Sequence, residues 1–359
     1  MKVALAGLSN SGKTTVFNAI TGQNLDTTVY PTTSGIHNMA VVKVPDSRLD
    51  KLSEIFKPKK TTHATIEYID YIGLTKGEPE QNRKVFDLIK DVDAIVHVVR
   101  VFEDNSVIHP VGTIDPLRDI ETVELELIFG DLEFIEKRLD RMEQALKRGK
   151  KPDESEKKLL LKCKDLLDKG IALRDVEFNE EDHRAMKPLQ FLSTKPEIIV
   201  LNIGENELNT DYINELKNTI HKRYPLLPIL TMCGKIEMEI SQLSPDDARL
   251  FLDDFNISEP ASGRLIHLCF SLLGLITFFT TAGDEVKAWS IQKGITAHRA
   301  AGKVHTDIEK GFIKAEVISF DDFISAGNMH SAREKGILRL EGKSYEVKDG
   351  DIINFRFNV

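Results

Sequence analysis

Gly7-Leu8-Ser9-Asn10-Ser11-Gly12-Lys13-Thr14 decides the fold. The stretch has the form GxxxxGK[ST]. The short apolar run Val3 to Ala6 precedes it, and a helical pattern from about Lys13 to Thr21 follows. Strand, glycine-bounded loop and helix together are the context that a phosphate-binding loop requires. Its glycines let the backbone bend so that N–H groups point at phosphate oxygens, and the positive end of the helix adds to the attraction. On this reading Asn10, Ser11, Gly12, Lys13, Thr14 and Thr15 hold phosphate. Lys13 reaches the β- and γ-phosphates and is a catalytic candidate, while the Thr14 hydroxyl ligates Mg2+. Asn10 is either a structural cap of the loop or a ligand for K+ beside the phosphates.

Working outward, Ala64 to Asp70, Ala94 to Val101, Glu197 to Asn202 and Leu227 to Met232 read as further strands, separated by helical stretches. The near-continuous apolar run AIVHVVRV suits a strand covered on both faces. Strands alternating with helices imply an α/β fold with a mostly parallel, doubly wound sheet. Asp70-Tyr71-Ile72-Gly73 follows the second of these strands and has the DxxG form of a G-protein switch. Asp70 then holds Mg2+, and the Gly73 N–H contacts the γ-phosphate as a second catalytic candidate. Leu74 stands where many G proteins carry a glutamine that orients the attacking water. Leucine has no donor or acceptor, so either another group does this or the intrinsic rate is low. Between the two motifs, Tyr30-Pro31-Thr32-Thr33-Ser34 offers hydroxyls that could close over Mg2+, with Ser34 or Thr33 as the ligand; the alternative is a surface turn.

Asn202-Ile203-Gly204-Glu205 ends a late strand, the position at which such sheets bind ligands. Asn202, Ile203 and Glu205 are therefore the candidates for reading the base. An aspartate in this place accepts two hydrogen bonds from guanine. Glu205 is a methylene longer, and Ile203 supplies none of the polar contacts of a lysine. The expected outcome is ATP over GTP by roughly 1–2 kcal/mol, the cost of one unmatched hydrogen bond.

The α/β pattern stops between Asp119 and about Lys187. Leu125, Ile128, Leu132, Ile135, Leu139, Met142 and Leu146 recur at alternating spacings of three and four, an a/d seam over three heptads. The helix is expected to end at Gly149, and a second begins at Asp153, an N-cap with Glu156 three residues later. This predicts an antiparallel coiled-coil arm. Its tip, Lys147-Arg148-Gly149-Lys150-Lys151, is either a solvated turn or a phosphate contact for RNA. From about Leu275 short strands return, including Tyr345 to Val347, in a small α+β domain. The predicted division is 1–118 and 188–274 for the nucleotide domain, 119–187 for the arm and 275–359 for the last domain.

Composition narrows the function classes. No run approaches the ~18 apolar residues of a membrane helix, so no membrane partner is expected. The apolar start Met1 to Gly7 is better explained by the phosphate loop than by a signal peptide. Cys163, Cys233 and Cys269 are too few and too scattered for a disulfide framework, which fits a reducing cytoplasm. A net charge of −9 argues against a protein that coats nucleic acid, although a local basic patch remains compatible.

Taken together, these residues resemble the Obg-like ATPase (YchF) family of translation-factor-related P-loop GTPases. The loop GLSNSGKTT is similar to the family's GLPNVGKST. The stretch Ala94 to Glu121, the NxxE of Asn202 and Glu205, and the run Glu285 to Phe323 resemble its post-switch segment, its base motif and its TGS domain, a β-grasp fold. The resemblance covers essentially the whole chain. It implies an ATP-preferring, Mg2+-dependent hydrolase that acts with ribosomes or ribosomal RNA, and it makes the helical insertion a coiled-coil arm. Two departures stand out: Asp70 to Gly77 reads DYIGLTKG where the family has DIAGLVKG, and the family's PFCT is Pro31-Thr32-Thr33-Ser34 here. The competing readings are a GTPase of the same fold and a nucleotide-gated binding module with negligible hydrolysis.

Overall fold

The computed structural model describes residues 1–25, 27, 38–71, 73–75, 79–151, 153–208, 210–254, 257 and 259–358. The chain forms two compact units, Met1–Ala40 with Glu67–Leu265 and Val41–Ile66 with Ile266–Val359. The strands in chain order are β1 (Lys2–Ala6), β2 (Asn38–Lys43), β3 (Lys60–Thr62), β4 (Thr65–Asp70), β5 (Ala94–Arg100) and β6 (Glu197–Asn202), then β7 (Ile229–Met232), β8 (Leu275–Thr280), β9 (Glu285–Gln292), β10 (Phe312–Ser319), β11 (Arg339–Glu341) and β12 (Asp351–Phe357). They make two six-stranded sheets, ordered β2-β4-β1-β5-β6-β7 and β11-β10-β12-β8-β9-β3.

In the first sheet β4, β1, β5, β6 and β7 run parallel, as the alternation of strands and helices predicts. The register sets Leu5 beside Asp70, Ala6 beside His97 and Arg100 beside Asn202. It thereby brings the carboxyl ends of four strands to one edge. Apolar side chains cover both faces. On one, Val85, Phe86 and Ile89 of the helix Pro79–Ile89 pack with Val123 and Leu127 over Ala4, Ile69 and Ile95. Further along that same face, Ile213, Leu216 and Ile220 pack over Ile199 and Leu201. Every residue of β5 and β6 is buried, which explains why those runs lack the alternation of a half-exposed strand.

The insertion is built on a 32-residue helix, Pro116–Lys147, capped by the Asp115 carboxylate and started by proline. It ends as Gly149 turns with φ +78°. The Asp153 carboxylate then accepts from the Ser155 and Glu156 N–H groups and starts the helix Glu154–Asp168. Ile128, Ile135 and Met142 meet Leu159, Cys163 and Leu167 in one core. The seam is shorter than three heptads: Leu125 is 36% exposed and Leu146 54%. The second helix has only 15 residues, and Phe178, Met186 and Phe191 of the returning chain complete the core.

Where this long helix crosses the sheet, four polar groups are buried together: His97 on β5, Glu197 on β6, Glu124 on the helix and Arg174. His97 Nδ1 lies 2.9 Å from Glu197 Oε1, and Arg174 Nη2 reaches both carboxylates, 3.1 Å from that of Glu197. Glu124 Oε1 and Glu197 Oε2 are buried without a hydrogen bond, the latter with only the Arg174 ion pair at 3.1 Å, and the two carboxyls face each other. Two buried carboxyls facing each other are most stable when one of them holds a proton. Burial, and next to it the Glu197 charge, push Glu124 up to about 8. Glu197, against its own burial, is held down to about 2 by Arg174 and His97. The geometry also brings His97, Glu124 and Glu197 within reach of one cation. The Arg174 guanidinium already places a positive charge there, so the cluster is a proton-sharing ion network.

The second unit is a mixed sheet with a helix across it, as the β-grasp expectation requires. β8 and β9 form a hairpin that turns at Gly283 (φ +68°), and β12 lies parallel to β8 through Ile352 and Phe279. Ala297, Ala300 and Ala301 of the helix Ala297–Val304 pack on Phe278, Ile291 and Phe355. Two expectations need correction. Tyr345 to Val347 is not a strand; Glu346 makes a single bridge to Thr296. Residues 41–66, which the sequence places in the nucleotide domain, belong to this unit. β3 adds to its sheet beside β9, Leu49 and Leu52 are fully buried, and Phe56 stacks on Phe323 at 5.3 Å. Arg48 pairs with Asp349 at 2.7 Å.

Candidate nucleotide site

The phosphate loop is shaped by what surrounds it. A Cβ on Gly7 (φ +146°) would lie 2.3 Å from the Val98 carbonyl, and one on Gly12 (φ +89°) would lie 2.1 Å from the Asn202 amide. Only glycine fits either place. Asn10 takes φ +61°, a region in which asparagine is enriched, and its Nδ2 donates to Ile108 O at 2.9 Å. Lys13 is buried, with Nζ donating to Leu8 O at 2.8 Å. Burial lowers its pKa to about 8, with the Asp70 charge acting against that shift. An ammonium so placed gains more from an incoming phosphate than one already in water.

The Thr14 hydroxyl donates to Asp70 Oδ2 at 2.8 Å, joining the two sequence motifs. Burial raises the Asp70 pKa, opposed by Lys13 and Thr14. Asp70 Oδ1 is buried with no hydrogen-bond partner. An orphaned anionic oxygen beside a hydroxyl is the hard-oxygen donor set that suits Mg2+. Thr33 and Ser34, the expected third contribution, lie outside the described residues.

Gly73 packs against the phosphate loop so closely that a Cβ would lie 2.5 Å from Ser9 N and Cα. The next residue is stitched to the loop: Leu74 N–H donates to Gly7 O at 2.9 Å, and Leu74 O accepts from Ser9 N–H at 3.3 Å. The Leu74 side chain is fully buried with Leu8, Val85 and Phe86. It is a core residue rather than a disabled water-holder facing the phosphates.

Beyond the loop opens a cleft of about 840 Å3, lined by Asn10, Thr15, Phe102, Glu205, Lys235 and others. That volume suits a nucleotide-sized ligand. Arg100, 3% exposed, fixes one wall by donating to the carbonyls of Phe102, Asp104 and Val107. Behind that wall, His109 pairs with Asp119 at 2.9 Å and accepts from Val111 N–H, tying the loop to the root of the arm. Of the three base candidates, the structure brings only the Glu205 side chain into the open. Asn202 Nδ2 donates to Ser11 O and its Oδ1 accepts from Gly234 N–H, both at 3.0 Å, so the side chain straps the loop to the sheet. Ile203 is 3% exposed and packs in the core. Glu205 is ion-paired with Lys235 at 2.9 Å.

Sequence reasoning missed Arg100, His109 and Lys235. The first two stand in the quoted stretch Ala94 to Glu121 with nothing local to mark a role. Lys235 lies 30 residues beyond Glu205, and only the β6–β7 register joins them.

Comparison with known proteins agrees with this geometry. A family model described as a 50S ribosome-binding GTPase matches residues 2–128, and the YchF-GTPase_C model, described as a protein of unknown function, matches residues 275–358. The chain is 40% identical over 365 residues to the ribosome-binding ATPase YchF of Bacillus subtilis, covering all of both. Against that of Escherichia coli O157:H7 it is 38% identical over 362 residues, covering all of this chain and 99% of the other. The solved Schizosaccharomyces pombe YchF GTPase is similar with a TM-score of 0.85 and 28% identity, covering 99% of this chain and 97% of that one. With this identity sustained along its full length, the chain belongs to the YchF, or Obg-like ATPase, family.

Proposed function

We propose that this chain is an ATP-preferring, Mg2+-dependent hydrolase that works in the cytoplasm as a slow conformational switch on the ribosome. The observation that carries the reading is the junction of Lys13, Thr14 and Asp70 at the foot of a nucleotide-sized cleft whose exposed base-side carboxylate is already ion-paired. On binding, Lys13 exchanges the Leu8 carbonyl for phosphate oxygens, and the glycine-shaped backbone of residues 10–15 holds the same oxygens through its N–H groups. Thr14 and Asp70 would hold Mg2+, which supplies charge neutralisation on the phosphates. Gly73 places the second switch against the loop. Leu74 is turned into the core, so this position brings no side chain to the phosphates to orient water.

The curated relatives are named ribosome-binding, and the exposed tip residues Lys147, Arg148, Lys150 and Lys151 offer ribosomal RNA a phosphate contact. Asn10, within the loop and lining the cleft, supports a K+ ligand role. The solved relative is titled a GTPase, so the GTPase reading is the one to exclude. Separate titrations of ATP and GTP into the nucleotide-free protein, with Lys13→Ala as control, test the reading. Tighter ATP binding, lost about tenfold or more in the variant, is expected. Tighter GTP binding would overturn it.

A further inference from the structure

Asn202 cannot read the base with its side chain, because both ends of its amide are bonded to Ser11 and Gly234. The same strap fixes the residue after Gly234. Asn202 and Met232 are register partners on adjacent parallel strands, so the turn after β6 and the helix Gly234–Ser241 after β7 emerge side by side. Glu205 leaves the first and Lys235 the second, and Lys235 Nζ meets Glu205 Oε1 at 2.9 Å on the cleft wall.

We propose that Lys235 selects against guanine by occupying one oxygen of the Glu205 carboxylate. The proposal deepens the ATP-preferring reading and rests on it. Guanine presents two adjacent donors, N1–H and the 2-amino group, and a carboxylate matches them only with both oxygens. With Lys235 on one oxygen, a single acceptor remains. Adenine needs no more than that, since its Watson–Crick edge carries one donor, the 6-amino group, beside the acceptor N1, and the Lys235 ammonium can donate to N1. Guanine must either displace the lysine or leave one donor unmatched.

The other carboxylates on the cleft wall are differently placed. Asp104 accepts from the Ser106 N–H and hydroxyl. Glu207 folds over Gly204, with Oε2 2.3 Å from where a Cβ would stand, and Glu103 is exposed. The Glu205–Lys235 pair is itself open to solvent, with side chains 46% and 67% exposed. The discrimination it adds is therefore that of an exposed ion pair, about two- to five-fold.

The test is calorimetric titration of ATP and of GTP into the full chain, comparing the ratio of the two affinities. Lys235→Met, which keeps length and removes charge, moves the ratio toward GTP by two- to five-fold, and Lys235→Arg does not. In a Glu205→Gln background Lys235→Met has no further effect. An unchanged ratio in Lys235→Met, including an equal loss of both affinities, overturns the proposal. So does an equal shift in the Glu205→Gln background, which would assign guanine contact to another acceptor such as Glu207. An unmodified protein that prefers GTP would defeat the ATP reading alone, because the Lys235 assignment is read from the change in ratio between variants.

Discussion

Glu124→Gln isolates the proton that Glu124 and Glu197 share at the root of the arm. Glutamine keeps the shape, keeps an acceptor for Arg174, and carries a permanent N–H donor toward Glu197. Glu124 in the folded chain holds its proton up to about pH 8, whereas an unfolded glutamate releases it near the ordinary 4.5. Between those values the folded chain binds one more proton than the unfolded chain, so this group's contribution to stability falls as pH rises. The slope is at most about 1.4 kcal/mol per pH unit, or roughly 2 kcal/mol from pH 6 to pH 8. Glu197, shifted down to about 2, has the opposite slope, and only below its ordinary value, so it does not interfere in this window. Asp175, which faces Arg174 and Glu197, and Tyr224, which faces Glu124, are present in both proteins and cancel in the difference. Urea unfolding at pH 6, 7 and 8, with hydrogen exchange at the amides of β6 and of residues 116–131, gives the two slopes. The unmodified protein loses about 2 kcal/mol more than Glu124→Gln across the window. Equal slopes would refute the shared proton.

Leu74→Gln tests the core assignment of that residue: an amide forced into an apolar pocket costs about 1–3 kcal/mol, so thermal denaturation shows a less stable protein with no gain in phosphate release. A faster rate at unchanged stability would place residue 74 at the phosphates after all. Reversing charge at Lys150 and Lys151 weakens ribosome co-sedimentation and flattens its salt dependence, because fewer counterions are released. Sedimentation indifferent to the change would remove the tip from the contact. Hydrolysis runs faster in K+ than in Na+ at equal ionic strength if Asn10 ligates the ion, and matching rates would leave Asn10 as a loop cap bonded to Ile108.

The phosphate loop and the parallel strands were legible because their physics is local. Glycines at positive φ and unbroken apolar runs can be seen within ten residues. Asp70 was legible through spacing, and in the fold the Thr14 hydroxyl donates to its carboxylate. Ile203 lines the cleft but is 3% exposed, and nothing local tells how much of a strand-end residue faces cleft or core. Leu74 was read against a glutamine that it does not replace in space, since its backbone is bonded into the loop and turns the side chain inward. Tyr345 to Val347 has the composition of a strand, but only one bridge forms there. The Lys235 pairing and the shared proton need three-dimensional proximity between residues 30 and 73 positions apart, which no window of sequence contains.

The place of residues 41–66 makes the second unit discontinuous, and that changes what a deletion experiment measures. Removing everything from Leu275 onward would strip β3 of its partner strand and uncover Leu49, Leu52 and Phe56 in the remainder. Such a fragment would carry a sticky apolar helix and an unpaired edge in the middle of its nucleotide domain. Loss of activity in it would report misfolding as readily as loss of a partner surface. Removing the early segment as well is no simpler, because its two ends run inside β2 and β4 of the first sheet. During synthesis the early segment likewise has no native partner until the last third of the chain has been made, so the first piece of this unit waits longest to fold.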